Sequence, residues 1–156
     1  PDVILVGEMR DFETINAAVT AAETGHLVFS TLHTTGAAET IDRIIDVYPP
    51  HSQGQIRSQL ANSVVGIISQ TLVPTADGKG RCAALEILAA TDAIRSMIRE
   101  GKIFQIPTAI ATGKKNGMFT LDQDLARLVN MGKITNEVAL TKCQDPNEYR
   151  RYLSVV

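Results

Sequence analysis

Short continuous apolar runs alternate with amphipathic stretches through the first half of the chain. Residues 3–6, Val-Ile-Leu-Val, and residues 27–32, Leu-Val-Phe-Ser-Thr-Leu, are too short for buried helices and read as parallel strands covered on both faces. Between them Asp11 offers an N-cap. Phe12, Ile15, Val19 and Ala22 then recur at helical spacing until Gly25 stops the run. Strand, helix and strand within roughly 30 residues predict a βαβ unit with a right-handed crossover.

A second helix is expected from Thr35 or Gly36, with Ala38, Ile41, Ile44 and Ile45 inward, ending before Pro49-Pro50. A third begins at Ser52 and is predicted to carry Ile56, Leu60, Val64, Ile67 and Ile68 on one face. "SQTLVP" and "RCAALEIL" read as a hairpin about the turn "TADGKG". Beyond Leu88 only helical patterns occur. "ATDAIRSMIREGK" carries Ile94, Met97 and Ile98 on one side, and a further helix starts near Pro107. Thr120 and Gln123 have capping-box spacing ahead of Leu121, Leu125, Leu128 and Val129, with Gly132 as the stop. "TNEVALTKC" precedes a last helix capped by Asp145, with Pro146 at its first position. The expected architecture is therefore α/β over residues 1–89, followed by a small all-helical domain over residues 90–156.

Composition narrows the function classes. Hydrophobic residues make up 44% and charged residues 21%, with a net charge of −2, the balance of a soluble globular protein. No basic excess points to nucleic acid or to an acidic membrane surface. No apolar run approaches the roughly 20 residues that span a bilayer, and no signal peptide is visible, so a protein that is not transmembrane is expected. Cys82 and Cys143 are far apart and form no C-x-x-C pair, which argues against a disulfide framework or a structural zinc site and for a reducing cytoplasm. Because the chain enters a strand pattern directly after Pro1, a piece of a longer protein is expected.

Two polar residues follow the predicted strands: Glu8 after the first and His33 at the end of the second. Ligands of parallel α/β sheets bind outside the carboxyl ends of the strands, so both residues are expected on the edge where chemistry is done. A carboxylate there can hold Mg²⁺ through water or orient an attacking water. An imidazole there can hydrogen-bond a phosphate oxygen, and the hydroxyls of Thr31, Thr34 and Thr35 suit the same ligand. A single acid after a strand is commonly a solvated loop residue, and a lone histidine is commonly structural. Spacing alone leaves both readings open.

The stretch "ILVGEMRDFETINAAVTAAETGHLVFSTLHTTGAAETIDRI" resembles the segment shared by secretion and type IV pilus ATPases, which are RecA-like hexameric motors. In that family ILVGE-x-RD is an atypical Walker B region and GHLV-x-STLH a histidine box. Thr35 stands where the family often has Asn. The resemblance implies the C-terminal part of a RecA-like P-loop NTPase core, using ATP and Mg²⁺. It gives Glu8 the handling of water and, through water at most, of Mg²⁺, with no residue ligating the metal directly, and gives His33 the sensing of the γ-phosphate. Arg10, His26, Thr31 and Thr34 become nucleotide-proximal candidates.

Two features choose within the family. Assembly ATPases commonly carry a four-cysteine zinc site where this chain has only the tight turn "TADGKG". "AIRSMIRE", with Ala93, Ile94, Arg95, Ile98, Arg99 and Glu100, resembles a helix typical of pilus-retraction motors; Ser96 and Met97 replace Asn and Leu. In this helix Ile94, Met97 and Ile98 are expected in the core, with Arg95, Arg99 and Glu100 on a solvated face. The resemblance thus implies a hexameric ring that withdraws a pilus fibre. It would be cytoplasmic, peripheral at the inner-membrane pilus base, and partnered by the pilus platform proteins. A pilus-assembly or type II secretion ATPase, or a non-catalytic RecA-like ring module, is the alternative. A nucleic-acid-dependent RecA-like ATPase would want a basic groove, which the charge balance does not supply.

No G-x-x-x-x-G-K-[ST] motif occurs in the chain. The family's phosphate loop and acidic box precede the Walker B strand and are expected upstream of Pro1. The chain by itself is therefore expected not to turn over ATP.

Overall fold

The computed structural model describes residues 1–154. Contacts group them into two compact units: Pro1–Gly66 with Ala89–Ile106, and Ile67–Leu88 with the chain from Pro107 onward.

The first unit opens with the predicted βαβ arrangement. Strands β1 (Val3–Val6) and β2 (Leu27–Ser30) pair in parallel, in register from Val3 opposite Leu27 to Val6 opposite Ser30. Helix α1 (Phe12–Glu23) makes the crossover; the Asp11 carboxylate accepts the Thr14 amide at 2.9 Å, and Ile15, Ala18 and Val19 are buried. Gly25, at φ 99°, makes the left-handed turn back into β2 that a side chain would resist. Among the described residues only one face of this sheet is covered. Ile4, Val6 and Val28 are half-buried, whereas Val3, Leu5, Leu27 and Phe29 are exposed, Leu5 by 77%. The unbroken apolar runs had suggested cover on both faces.

Helix α2 (Ala37–Asp46) buries Ala37, Thr40, Ile41, Ile44 and Ile45. Helix α3 (Gln53–Ser63) adds Ile56, Leu60 and Ala61, and helix α4 (Asp92–Glu100) adds Ile94 and Ile98, both fully buried. Thr91 caps α4 through the Ile94 amide, and Gly101 closes it in the left-handed region at φ 72°. Met97 is half-buried, on the flank of that apolar stripe.

In the second unit strands β3 (Gly66–Pro74) and β4 (Arg81–Ala89) pair. Their turn is closed by the Thr75 amide on the Gly80 carbonyl at 3.0 Å, while Asp77 accepts the Thr75 hydroxyl and the Lys79 amide. Four helices follow: α5 (Ile106–Thr112), α6 (Leu121–Asn130), α7 (Asn136–Lys142) and α8 (Pro146–Arg151). Thr120 and Gln123 form the predicted capping box on α6. Two carboxylates on α6 are buried for a reason. Asp122 accepts the amides of Gln144 and Asp145 at 2.7 and 2.8 Å, and Asp124 accepts the Leu85 amide at 2.8 Å, which ties α6 to β4.

Two expectations change. Helix α3 ends at Ser63, Val64 turns extended with ψ 133°, and Ile67 and Ile68 lie in β3. The apolar spacing of residues 56–68 fits a helix, but the β-branched run around Gly66 is drawn into strand pairing with β4. The compact units also do not divide at residue 89. Val73 and Ala84 of the hairpin bury in one cluster with Leu125, Leu128, Ala139 and Tyr149, so β3 and β4 group with the C-terminal helices. Among the described residues no helix is long and apolar enough to cross a membrane.

Candidate functional site

The parallel pairing of β1 and β2 brings their carboxyl ends to one edge, and the loops that leave this edge carry the candidates. The pairing runs one step past the strands through the Met9 amide on the Thr31 carbonyl, at 3.0 Å. The Thr31 hydroxyl donates to the Gly7 carbonyl at 2.5 Å and locks the two exits together. Because β2 ends at Ser30 rather than Leu32, His33 stands beyond the strand, on the loop into α2.

That loop is held by its own polar side chains. Thr34 shares a hydroxyl contact of 2.6 Å with Thr40, which in turn donates to the Gly36 carbonyl at 2.8 Å. The Thr35 amide and hydroxyl both donate to Glu39, at 3.0 and 2.5 Å. Glu39 and Thr40 were not singled out in the sequence. The spacing of Thr35 and Glu39, a hydroxyl with an acid one helical turn later at a helix start, was the available signal.

With both exits fixed, Glu8 and His33 meet. His33 Nε2 lies 3.3 Å from Glu8 Oε1, and Arg10 Nε lies 2.6 Å from the same oxygen. The Glu8 side chain is 26% exposed, against 73% and 79% for Arg10 and His33. The hydrogen bond from Arg10 holds the Glu8 carboxyl below the usual glutamate range; burial opposes it, and the charges of Arg10 and His33 support it. An ionised carboxylate therefore faces the edge of the sheet, with two nitrogen donors converging on one of its oxygens.

The other candidates have separate places. His26 precedes β2 at the opposite, amino edge, where its Nδ1 lies 2.9 Å from the Ala21 carbonyl at the end of α1. It is not brought to Glu8. Thr31 and Thr34 brace the loops as described. A groove of about 670 Å³ in the second unit is lined by Met118, Phe119, Arg127, Met131 and Tyr152, and by none of the candidate residues.

Among the described residues no group of three or more His, Cys, Asp or Glu side chains could form a metal cage. The Glu8 carboxylate is a hard oxygen donor. It fits Mg²⁺ of the kind that takes one or two carboxylates and draws its remaining shell from phosphate oxygens and water.

Residues 1–139 match the family model described as "Type II/IV secretion system protein". The chain belongs to this family. A twitching motility protein of Neisseria gonorrhoeae is 57% identical over 145 residues, covering 93% of the chain and 39% of the relative. The type IV pilus retraction ATPase PilT of Pseudomonas aeruginosa is 54% identical over 149 residues, covering 96% of the chain and 43% of the relative. In structure the chain resembles the crystal structure of the pilus retraction motor PilT with bound ADP. The TM-score is 0.87 at 47% identity, covering 97% of the chain and 42% of that one. The chain thus spans about two fifths of the length of these members of the type II/IV secretion family, between 39% and 43%.

The helix resembling the retraction motif is α4. Ala93, Arg99 and Glu100 are exposed on it, and Glu100 pairs with Lys102 at 2.7 Å. Arg95 departs from the solvated face expected for it. It is half-buried and spends its guanidinium on backbone carbonyls. Arg95 adjoins the buried Ile94, and its side chain turns to the carbonyls at the end of α3, which have no partner within that helix.

Proposed function

We propose that this chain is part of an ATP-hydrolysing motor that powers retraction of type IV pili. The carrying observation is the convergence of His33 Nε2 and Glu8 Oε1, 3.3 Å apart, at the carboxyl edge of a parallel sheet. Membership of the secretion family and the resemblance to retraction motors over nearly the whole chain support the direction of the work.

Glu8 acts on the attacking water. Its carboxylate, kept ionised by Arg10, accepts a hydrogen bond from the water and aligns it with the terminal phosphate. His33 stands beside it and donates a hydrogen bond to a γ-phosphate oxygen, so the Glu8–His33 contact gives way when that phosphate is present and re-forms when it is lost. Since Thr34, Thr35, Glu39 and Thr40 fix the His33 loop to the first turn of α2, that exchange is delivered to α2. Mg²⁺, when bound with the nucleotide, supplies neutralisation of the phosphate charge, and Glu8 is the residue placed to hold it through water. No G-x-x-x-x-G-K-[ST] motif occurs in residues 1–156, so in this reading the phosphate cradle is supplied by another segment of the motor. The assembly is a hexameric ring, cytoplasmic and peripheral at the inner-membrane pilus base, working on the pilus platform proteins.

The test is Glu8→Ala and Glu8→Gln in the full-length protein. ATP turnover is expected to fall at least about a hundredfold, in the range lost with a positioned general base, while nucleotide binding is retained. Turnover within a few-fold of the unsubstituted motor would overturn the role given to Glu8.

A further inference from the structure

Arg95 spends its guanidinium on three backbone carbonyls. Its Nε donates to the Ala90 carbonyl at 3.2 Å, and one terminal nitrogen donates to the carbonyls of Ala61 and Asn62 at 2.5 and 3.1 Å. Ala61 and Asn62 lie in the last turn of α3, where carbonyls have no partner within the helix and the dipole favours a cation. Ala90 begins the segment that returns from β4. The chain leaves the first unit after Gly66 and re-enters it at Ala89, so the guanidinium bridges the outgoing and returning segments just inside the first unit. The Ala90 amide bonds the Val65 carbonyl at 3.0 Å, and Arg99 reaches the Asn62 side chain at 3.1 Å, so the junction is joined three times. All of the acceptors of Arg95 are main-chain oxygens.

We propose that Arg95 is a positioning residue that locks the two segments linking the units into one mechanical element. Displacement of the second unit is then passed to α3 and α4 together rather than absorbed at the junction. The physical ground is that a fork of planar donors has no compliant direction when it holds carbonyls of two segments at once. Without it, the end of α3 and the segment after β4 keep only the Ala90–Val65 backbone bond and the Arg99–Asn62 contact ahead of the paired strands, and the junction loosens. The idea rests on the motor reading only for its purpose. Its test needs no nucleotide, so the two can fail separately.

The test compares Arg95→Gln and Arg95→Lys with the unsubstituted chain. Amide hydrogen exchange is read at Val64, Ala90 and Thr91, and at control sites in β2 and α6. For Arg95→Gln, exchange at the junction amides is expected to accelerate at least about tenfold, with controls within about twofold; Arg95→Lys, able to keep part of the fork, falls between. Spin labels on exposed Gln55 and Lys142, with Cys82 and Cys143 replaced by Ser, then report the distance between the units. The distance distribution is expected to broaden in Arg95→Gln. Equal acceleration at every amide would mean that Arg95 only supports the fold. Unchanged junction amides, or a faster junction with an unchanged distance distribution, would remove the proposed linkage.

Discussion

Asp124 is a buried carboxylate that ties α6 to β4, and its replacement has a calculable cost. The residue is 2% exposed; one oxygen accepts the Leu85 amide at 2.8 Å and the other accepts Arg127 Nε at 2.7 Å. In Asp124→Ala the Leu85 amide loses its acceptor in a half-buried place, at about 1–3 kcal/mol. The Arg127 pair adds less than about 1 kcal/mol, because its side chain is 54% exposed and regains water when released. The sum, about 1–4 kcal/mol, corresponds to roughly 2–16 °C in the melting of a chain of this size. Asp124→Asn keeps an oxygen for Leu85 and should cost about 1 kcal/mol, and Arg127→Ala less than that. Urea unfolding gives the totals, and hydrogen exchange at the Leu85 amide gives the local effect, expected to rise in Asp124→Ala and stay nearly unchanged in Arg127→Ala. If Arg127→Ala cost as much as Asp124→Ala, the ion pair and not the strand amide would be the main interaction, and the reasoning would be wrong.

Further outcomes concern the turn at Gly113 and the charge on Glu8. A Cβ at Gly113 would collide with Met118 Cε and come within 2.9 Å of the Ala109 carbonyl, which the helix holds in place. Gly113→Ala is therefore expected to destabilise the second unit by about 1–3 kcal/mol, measured by urea unfolding; a neutral result would show that α5 can shift. Because the folded-state pKa of Glu8 lies below its ordinary 4.5, its carboxylate favours the folded form above that value, and the advantage is lost as pH falls through the folded pKa. A carbon-13 titration of the Glu8 carboxyl should show a midpoint below 4.5 that rises in Arg10→Met; an unmoved midpoint would mean that Arg10 does not hold it.

The helices were legible because their signals are local. Asp11, Thr120 and Asp145 cap where their side chains reach the next turn, and Gly25 and Gly132 end runs where only a left-handed residue continues the chain. The candidate edge was legible too, since a parallel βαβ unit must put both strand exits on one side. Residues 64–68 were misread because Val, Gly and Ile at these spacings satisfy a helical stripe and a strand equally. Pairing with β4 decides between them, and that partner lies more than ten residues downstream.

The sequence by itself determined where most of the helices start, which of their faces are apolar, and that a carboxylate and an imidazole follow successive strands. Only the tertiary structure decided which of these groups touch. It joined Glu8 to His33 and Arg10, set His26 on the other edge, moved the hairpin into the company of the C-terminal helices, and turned Arg95 from water to the carbonyls of α3. Contacts between residues distant in the chain depend on how packed elements are placed in space, and side-chain periodicity carries no information about that placement.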